Sequence, residues 1–264
     1  MNYWNQSREN IYVAAHRGFC EKYPENTIEA FRAAIELGVD QIETDIRITK
    51  DGELVLIHDD CVDRTTNGSG KVADMTFAEL RALDAGMKKD DRFQGAKIPL
   101  LTELLDLVKD HPTITLDLEL KEYPTAGREE LAFEVCDRVL TLVDAYGFTD
   151  RIVVNSFNSK LNEYVYEKYG KKYRQHVFFP LNVLSEYRID PYTYAYCACM
   201  FGGSYMANAQ GFDMIRAYGV EPWVGAAVKD AKGVDLAIER GATLITCNNP
   251  DEVLALLRER GYHS

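Results

Sequence analysis

The chain has 264 residues, with 30 basic against 42 acidic side chains and a formal charge of −12. At this length roughly three quarters of the unfolded surface is buried, so a sizeable core forms without staples, and apolar and charged fractions of 46% and 27% exclude disorder. The negative balance argues against sequence-independent nucleic-acid binding, which relies on neutralised phosphates, and no run approaches the roughly 20 uncharged apolar residues of a membrane span. The polar start, Met1 to Tyr12, has no basic segment followed by an apolar run, which predicts no signal peptide and a cytoplasmic protein; a chain already trimmed of its leader would look the same.

Short apolar β-rich runs alternate with amphipathic helical stretches. Strands are expected at 11–15, 41–48, 54–57, 113–120, 151–155, 176–179, 222–225 and 242–246. Helical patterns fall at 27–37, 102–109, 128–146, 159–169, 231–240 and 251–260, where apolar residues recur three or four apart, as in Ile28, Phe31 and Ile35. Gly38, Gly219 and Gly241 each follow a helical pattern and precede an apolar run, the place where a helix stop wants a left-handed residue. About eight such units in ~250 residues predict a TIM (β/α)8 barrel, with a doubly wound open sheet as runner-up. Residues 59–99 break the rhythm with Asp, Lys, Gly and Thr, which predicts a small inserted subdomain at one mouth. Residues 181–209, with five tyrosines and Gly202-Gly203, are the least legible stretch. Of those tyrosines, Tyr192, Tyr194 and Tyr196 read as core and rim packing in preference to a pocket lining. The six cysteines (Cys20, Cys61, Cys136, Cys197, Cys199, Cys247) lack CxxC spacing and read as reduced core or pocket thiols, Cys197 and Cys199 on one side of a strand.

Two of the expected strands end on histidine: IYVAA runs into His16-Arg17-Gly18, and ELVLI into His58-Asp59. In a parallel barrel the C-terminal strand ends form the active face, so both imidazoles should converge at one mouth, where they can act as base and acid. The period of two along a strand puts Glu43, Asp45 and Arg47 on one face, and likewise Asp117, Glu119 and Lys121. Acids in otherwise apolar strands need compensation, available from Arg17, Lys121 or a divalent cation. Glu43, Asp45 and Glu119 offer only oxygen and suit a hard ion, Mg²⁺ or Ca²⁺, with an ion-pair network without metal as the alternative reading. Arg17, Lys121 and a cation together would form a positive patch for which phosphate is the natural occupant.

The opening AHRGFCEKYPENTIEAFRAAIELGVDQIETDIRITKDGELVLIHDDCVDRTTNGSG resembles the glycerophosphodiester phosphodiesterase family. The match includes His16-Arg17-Gly18, Pro24-Glu25-Asn26-Thr27, Glu43-x-Asp45, Asp51-Gly52, His58-Asp59, Arg64-Thr65-Thr66, the segment Ile98-Pro99-Leu100-Leu101-Thr102-Glu103, and Glu119-Leu120-Lys121. It is dense over 11–121 and thin afterwards, where Ser156-Phe157 and Trp223 fit family positions. The resemblance implies a TIM barrel with an inserted subdomain that cleaves a glycerophosphodiester, a small-molecule substrate, to glycerol 3-phosphate and an alcohol. It implies His16 and His58 as general base and acid, and Glu43, Asp45 and Glu119 as ligands of Mg²⁺ or Ca²⁺. Arg17 and Lys121 would contact phosphate, Trp223 would be a further substrate-binding position, and Glu25 and Asn26 would brace the mouth. Water or a neighbouring substrate hydroxyl could attack phosphorus. The last third departs from the pattern: Trp223-Val224-Gly225-Ala226 stands where relatives have Trp-Thr-Val-Asn, and Thr246-Cys247-Asn248-Asn249-Pro250 where they have Thr-Asp-x-Pro. Two rival readings follow, a lipid phosphodiesterase of the lysophospholipase D or sphingomyelinase D type and a non-catalytic barrel that binds a phosphorylated metabolite.

Overall fold

Short strands buried on both faces need helices over them, and the chain supplies both in alternation. The computed structural model describes residues 3–4, 9–181, 183–201 and 208–264; Gly202-Gly203 and most of the first eight residues lie outside them. Nine strands form one sheet: β1 (Tyr12–His16), β2 (Gln41–Ile48), β3 (Leu54–Leu56), β4 (Thr115–Leu120), β5 (Ile152–Asn155), β6 (Arg174–Phe179), β7 (Ala195–Met200), β8 (Glu221–Val224) and β9 (Leu244–Cys247). The order β1-β9-β8-β7-β6-β5-β4-β2 is parallel throughout and closes on itself, with His16 opposite Glu43 between β1 and β2. This is a TIM barrel.

The expected number of staves is right, but one member differs. The run at 54–57 is not a stave: β3 pairs antiparallel with the overshooting end of β2, Ile46 to Ile48, outside the ring. The remaining stave is β7, in the stretch that was hardest to read. Its Ala-Tyr-Cys-Ala-Cys-Met sequence has no β-branched residue, so its strand propensity is weak and neighbouring strands impose the conformation.

The helices are α1 (Ile28–Leu37), α2 (Phe77–Ala82), α3 (Leu101–Lys109), α4 (Glu129–Ala145), α5 (Ser159–Tyr169), α6 (Ala209–Ala217), α7 (Ala231–Arg240) and α8 (Pro250–Glu259). The barrel's outer wall and the inner helix faces share a large core that includes Phe31, Ile42, Leu104, Leu116, Val139 and Ile245. Gly38 ends α1 in the left-handed region at φ 82°, where its N–H reaches the carbonyls of Ala34 and Ile35. No helix among the described residues is long and apolar enough to cross a membrane.

The stretch from β3 to α3 builds its own small core from Val55, Ile57, Val62, Val72, Leu80 and Ile98, which matches the expected insertion. Inside the barrel, a cluster of Trp4, Ala14, Val153, Cys197, Cys199, Trp223 and Leu244 fills the interior. None of the six cysteines is in a disulfide. Tyr194 is buried, Tyr192 stacks on Tyr218 at 4.3 Å, and Tyr196 meets Trp4 edge-on, so these rings pack as expected.

At the N-terminal end of the barrel, Asp40 Oδ2 accepts the Val13 N–H at 2.8 Å and lies 2.9 Å from His263 Nε2. The hydrogen bond from His263 to Asp40 raises the imidazole pKa above its ordinary 6.5, against burial and nearby Arg258. A folded-state value above the unfolded one means that protonation stabilises the fold. The contribution is complete below pH 6.5 and fades as pH rises through the folded value. Urea unfolding at stepped pH should therefore show stability falling above that point, and His263→Gln should flatten the fall; superimposable profiles would refute the coupling.

Candidate active site

β1 delivers His16 to the barrel mouth, and the chain then turns through two consecutive left-handed residues, Arg17 at φ 56° and Gly18 at φ 77°. A Cβ on Gly18 would lie 2.7 Å from the backbone carbon of Ala30, so only glycine fits against α1. For Arg17 the same conformation is strained. It turns the Arg17 N–H onto Glu43 Oε2 at 2.9 Å, while the guanidinium reaches Glu25 Oε1 at 2.9 Å and lies 3.2 Å from Asp45 Oδ2. Asn26, also left-handed at φ 54°, donates from Nδ2 to Asp45 Oδ2 at 2.8 Å and accepts from Thr44 Oγ1 at 2.7 Å. Glu25 and Asn26 thus do brace the mouth.

Glu43 and Asp45 point into the barrel from β2, and β4 sets Asp117 and Glu119 beside them in register. Ligand oxygens of Glu43, Asp45 and Glu119 lie within 4.8 Å of one another, and all three residues are buried. Lys121 Nζ pairs with Glu119 and approaches Asp45 Oδ1 to 3.1 Å. Burial pushes the Glu43 carboxyl well above its usual range, and Asp45 and Glu119 add repulsion. Burial lifts Glu119 to about 7 despite Lys121. Burial would raise Asp45 too, but Lys121 and Arg17 hold it below the ordinary aspartate value. Three crowded carboxylates against two cationic side chains leave negative charge uncompensated. An all-oxygen donor set of that kind fits a hard divalent cation.

His16 Nδ1 lies 2.6 Å from Asn248 Oδ1. An amide oxygen only accepts, so Nδ1 carries the hydrogen and Nε2 is left bare. Burial, helped by Arg17, lowers the pKa of His16 to about 4. His58 reaches the same mouth from the opposite direction. β2 overshoots the ring, β3 runs back along it, and the Ile57 N–H bonds the Asp45 carbonyl at 3.1 Å. His58 Nδ1 is 2.7 Å from Asp59 Oδ1, and burial lowers its pKa. Arg64 clamps the arrangement, donating to Asp59 Oδ2 at 2.6 Å and to Glu25 Oε2 at 2.7 Å. Arg47, expected on the acidic face, donates to the His58 carbonyl at 2.9 Å.

His16, Arg17, Glu43, His58, Glu119 and Lys121 line one cavity of about 350 Å³. Asp45 sits behind that surface, held by Arg17, Asn26 and Lys121. A wider groove of about 460 Å³ lies on the barrel flank beside Glu53, Leu54, Glu134 and Arg138, with no imidazole in its lining. Trp223 is not in the lining of the site cavity; its ring packs edge-on against His176 at 5.2 Å. The altered segment does line the cavity, through Gly225 and Ala226, as does the following Ala227. Sequence reasoning assigned no role to Asn248, Arg64, Asn155, His176 or Thr246. For His176 a signal was present, since period two on β6 puts it on the same face as the cavity-lining Phe178.

A profile of the Glycerophosphoryl diester phosphodiesterase family matches residues 16–252. A glycerophosphodiester phosphodiesterase of Caldanaerobacter subterraneus subsp. tengcongensis is 45% identical over 150 residues, 55% of this chain and 58% of that protein. Homo sapiens glycerophosphodiester phosphodiesterase 1 is 38% identical over 126 residues, 47% of this chain and 38% of that protein. The chain therefore spans less than three fifths of the length of these curated relatives. Among solved structures, a glycerophosphodiester phosphodiesterase from Agrobacterium tumefaciens superimposes with a TM-score of 0.76 at 26% identity, covering 93% of this chain and 99% of the other. An Oleispira antarctica phosphodiesterase in complex with the product sn-glycerol-3-phosphate has a TM-score of 0.77 at 22% identity, over 94% and 96%, a likeness of fold.

The Asn26 brace separates two contributions. Asn26→Ala should lower stability by about 2–5 kcal/mol, roughly 1–3 from the stranded polar groups and about 1–2 from alanine held left-handed. Asn26→Gly should lose only the first part. Urea denaturation of both variants checks the difference, and equal losses would remove the backbone term.

Proposed function

The chain belongs to the glycerophosphoryl diester phosphodiesterase family, and on that premise we propose that it hydrolyses glycerophosphodiesters to glycerol 3-phosphate and an alcohol. The observation that carries this reading is the meeting of two imidazoles, from chain segments of opposite direction, in one cavity with Glu43 and Glu119, Asp45 lying directly behind them. Glu43, Asp45 and Glu119 would hold Mg²⁺ or Ca²⁺, which supplies Lewis-acid stabilisation of charge on the phosphoryl oxygens. Arg17 and Lys121 bind the phosphate, Arg17 as a fork of donors and Lys121 as a point charge.

His16 is the general base. Its Nδ1 is committed to Asn248, so the bare Nε2 takes the proton from the attacking hydroxyl, whether of water or of the substrate. His58 is the general acid, and Asp59 at 2.7 Å steadies its protonated ring until the proton passes to the leaving alkoxide. Asn248 lies in the segment that departs from the Thr-Asp-x-Pro pattern, and its amide serves to orient His16 without adding charge. The chain acts as one catalytic unit on small molecules, in glycerol and lipid metabolism.

Purified protein should release glycerol 3-phosphate from glycerophosphocholine or glycerophosphoethanolamine, lose activity in EDTA, and regain it with Mg²⁺ or Ca²⁺. His16→Ala and His58→Ala should each lower kcat by about 10²–10⁴. In melts without substrate, the restoring cation should raise Tm for the unsubstituted protein but not for Glu119→Gln. No product with any divalent ion across a panel of headgroups would overturn the reading.

A further inference from the structure

A second cavity, of about 310 Å³, lies beside the catalytic one. Lys121 lines both, so the two are neighbours across a single residue. The second also borders the segment that carries His58. Arg47, in its lining, donates from Nε to the His58 carbonyl at 2.9 Å, and Asp60, two residues beyond His58, lines it too. A smaller cavity of about 140 Å³, beside Arg64, Lys88 and Lys89, shares no residue with the catalytic cavity.

The charged lining of the second cavity is Arg47, Lys71, Lys121 and Arg128 against Asp60 and Glu122. Glu122 is buried and fully engaged. Its Oε2 accepts from Arg128 Nη2 at 2.8 Å, while Oε1 accepts the Ile48 N–H at 3.4 Å and lies 3.8 Å from Arg47 Nη1. Lys121 sends its ammonium inward, to Asp45 and Glu119. Lys71 is exposed and pairs with Cys61 only through its backbone, and its ammonium has no carboxylate partner among the described residues. One buried carboxylate thus serves two guanidiniums, and the Lys71 charge is left over. In a chain of formal charge −12 this is a local reversal of sign.

We propose that this cavity receives the alcohol half of the diester and selects alcohols that carry an anionic group, read by Lys71 and Arg128. The proposal rests on the phosphodiesterase reading and adds to it which headgroup leaves. The leaving oxygen takes its proton at His58, and the cavity borders the His58 segment on one side and Lys121 on another. A fixed cation on the alcohol meets a lining of four positive side chains and two negative ones. A carboxylate is drawn in instead, by Lys71 as a point charge and Arg128 as a fork of donors. Neither residue takes part in proton transfer.

Glycerophosphoserine and glycerophosphoethanolamine differ by one carboxylate, so the ratio of their kcat/KM values reads the cavity directly. The unsubstituted protein should favour glycerophosphoserine by at least about fivefold, the upper end of what one partly exposed charge pair gives. Raised salt should shrink the preference. Lys71→Glu should lower the ratio by at least about fivefold, chiefly through KM for glycerophosphoserine, and Lys71→Arg should keep it. Lys109→Gln removes a positive charge at the exposed end of α3, outside the lining, and should leave the ratio as it is. Thermal melts confirm that each variant is folded. Equal efficiencies for the two diesters, a preference for glycerophosphoethanolamine, or a ratio that Lys71→Glu leaves untouched would overturn the proposal. Glycerophosphocholine, assayed in parallel, tests the phosphodiesterase reading separately. If any of the three diesters releases glycerol 3-phosphate, those results remove the headgroup proposal alone; release from none removes both.

Discussion

Crowding three carboxylates at the dry mouth of a barrel is the constraint around which this molecule is organised. An isolated buried carboxylate is too costly to persist, and here three have oxygens within 4.8 Å of one another. Much of the unusual local geometry answers that difficulty. The left-handed Arg17 brings a backbone N–H and a guanidinium to Glu43 and Asp45. The left-handed Asn26 brings an amide to Asp45, and Lys121 spans Asp45 and Glu119 from the end of β4. Burial, only partly offset by these cations, keeps Glu43 and Glu119 above the usual carboxylate range, while Lys121 and Arg17 outweigh burial at Asp45 and hold it below its own.

The second organising device is the overshoot of β2. A stave that stopped at the rim would carry the next segment away from the mouth. By extending through Ile48 and folding back as β3, the chain returns to the level of Asp45 and presents His58 to the same cavity as His16. Arg64 then links the returning segment to Glu25 on the loop after β1. The two imidazoles share an environment but are anchored by different means, His16 on a ring strand and His58 on the hairpin's return arm.

Much of the acidic mouth was legible because strand parity is a local property. The alternations in β2 and β4 put Glu43, Asp45 and Glu119 on the inner face before any coordinates were needed. Direction is not local: an apolar triplet such as Leu54–Leu56 looks the same as a ring stave or as a returning hairpin arm. β7 was hard to see because Ala, Cys and Met carry little strand propensity. The supporting polar contacts were least legible, since they join positions far apart in sequence. Asn248 meets His16 across 232 residues, and His176 meets Asp117 across 59. Trp223 shows the reverse case, a familiar residue that backs His176 from the interior and does not face the cavity.

The small core under the β3-to-α3 segment is separate from the large core that the barrel shares with its helices. Free energies of opening differ between cooperative units of one fold, and a satellite cluster of few apolar side chains opens more readily than the ring it leans on. If that unit lifts, His58, Asp59 and Arg64 leave together, while His16 and the acidic trio stay in their strands. Such an excursion would part the His58 arm of the cavity from the His16 arm while the barrel keeps its strands, a change that circular dichroism would barely register.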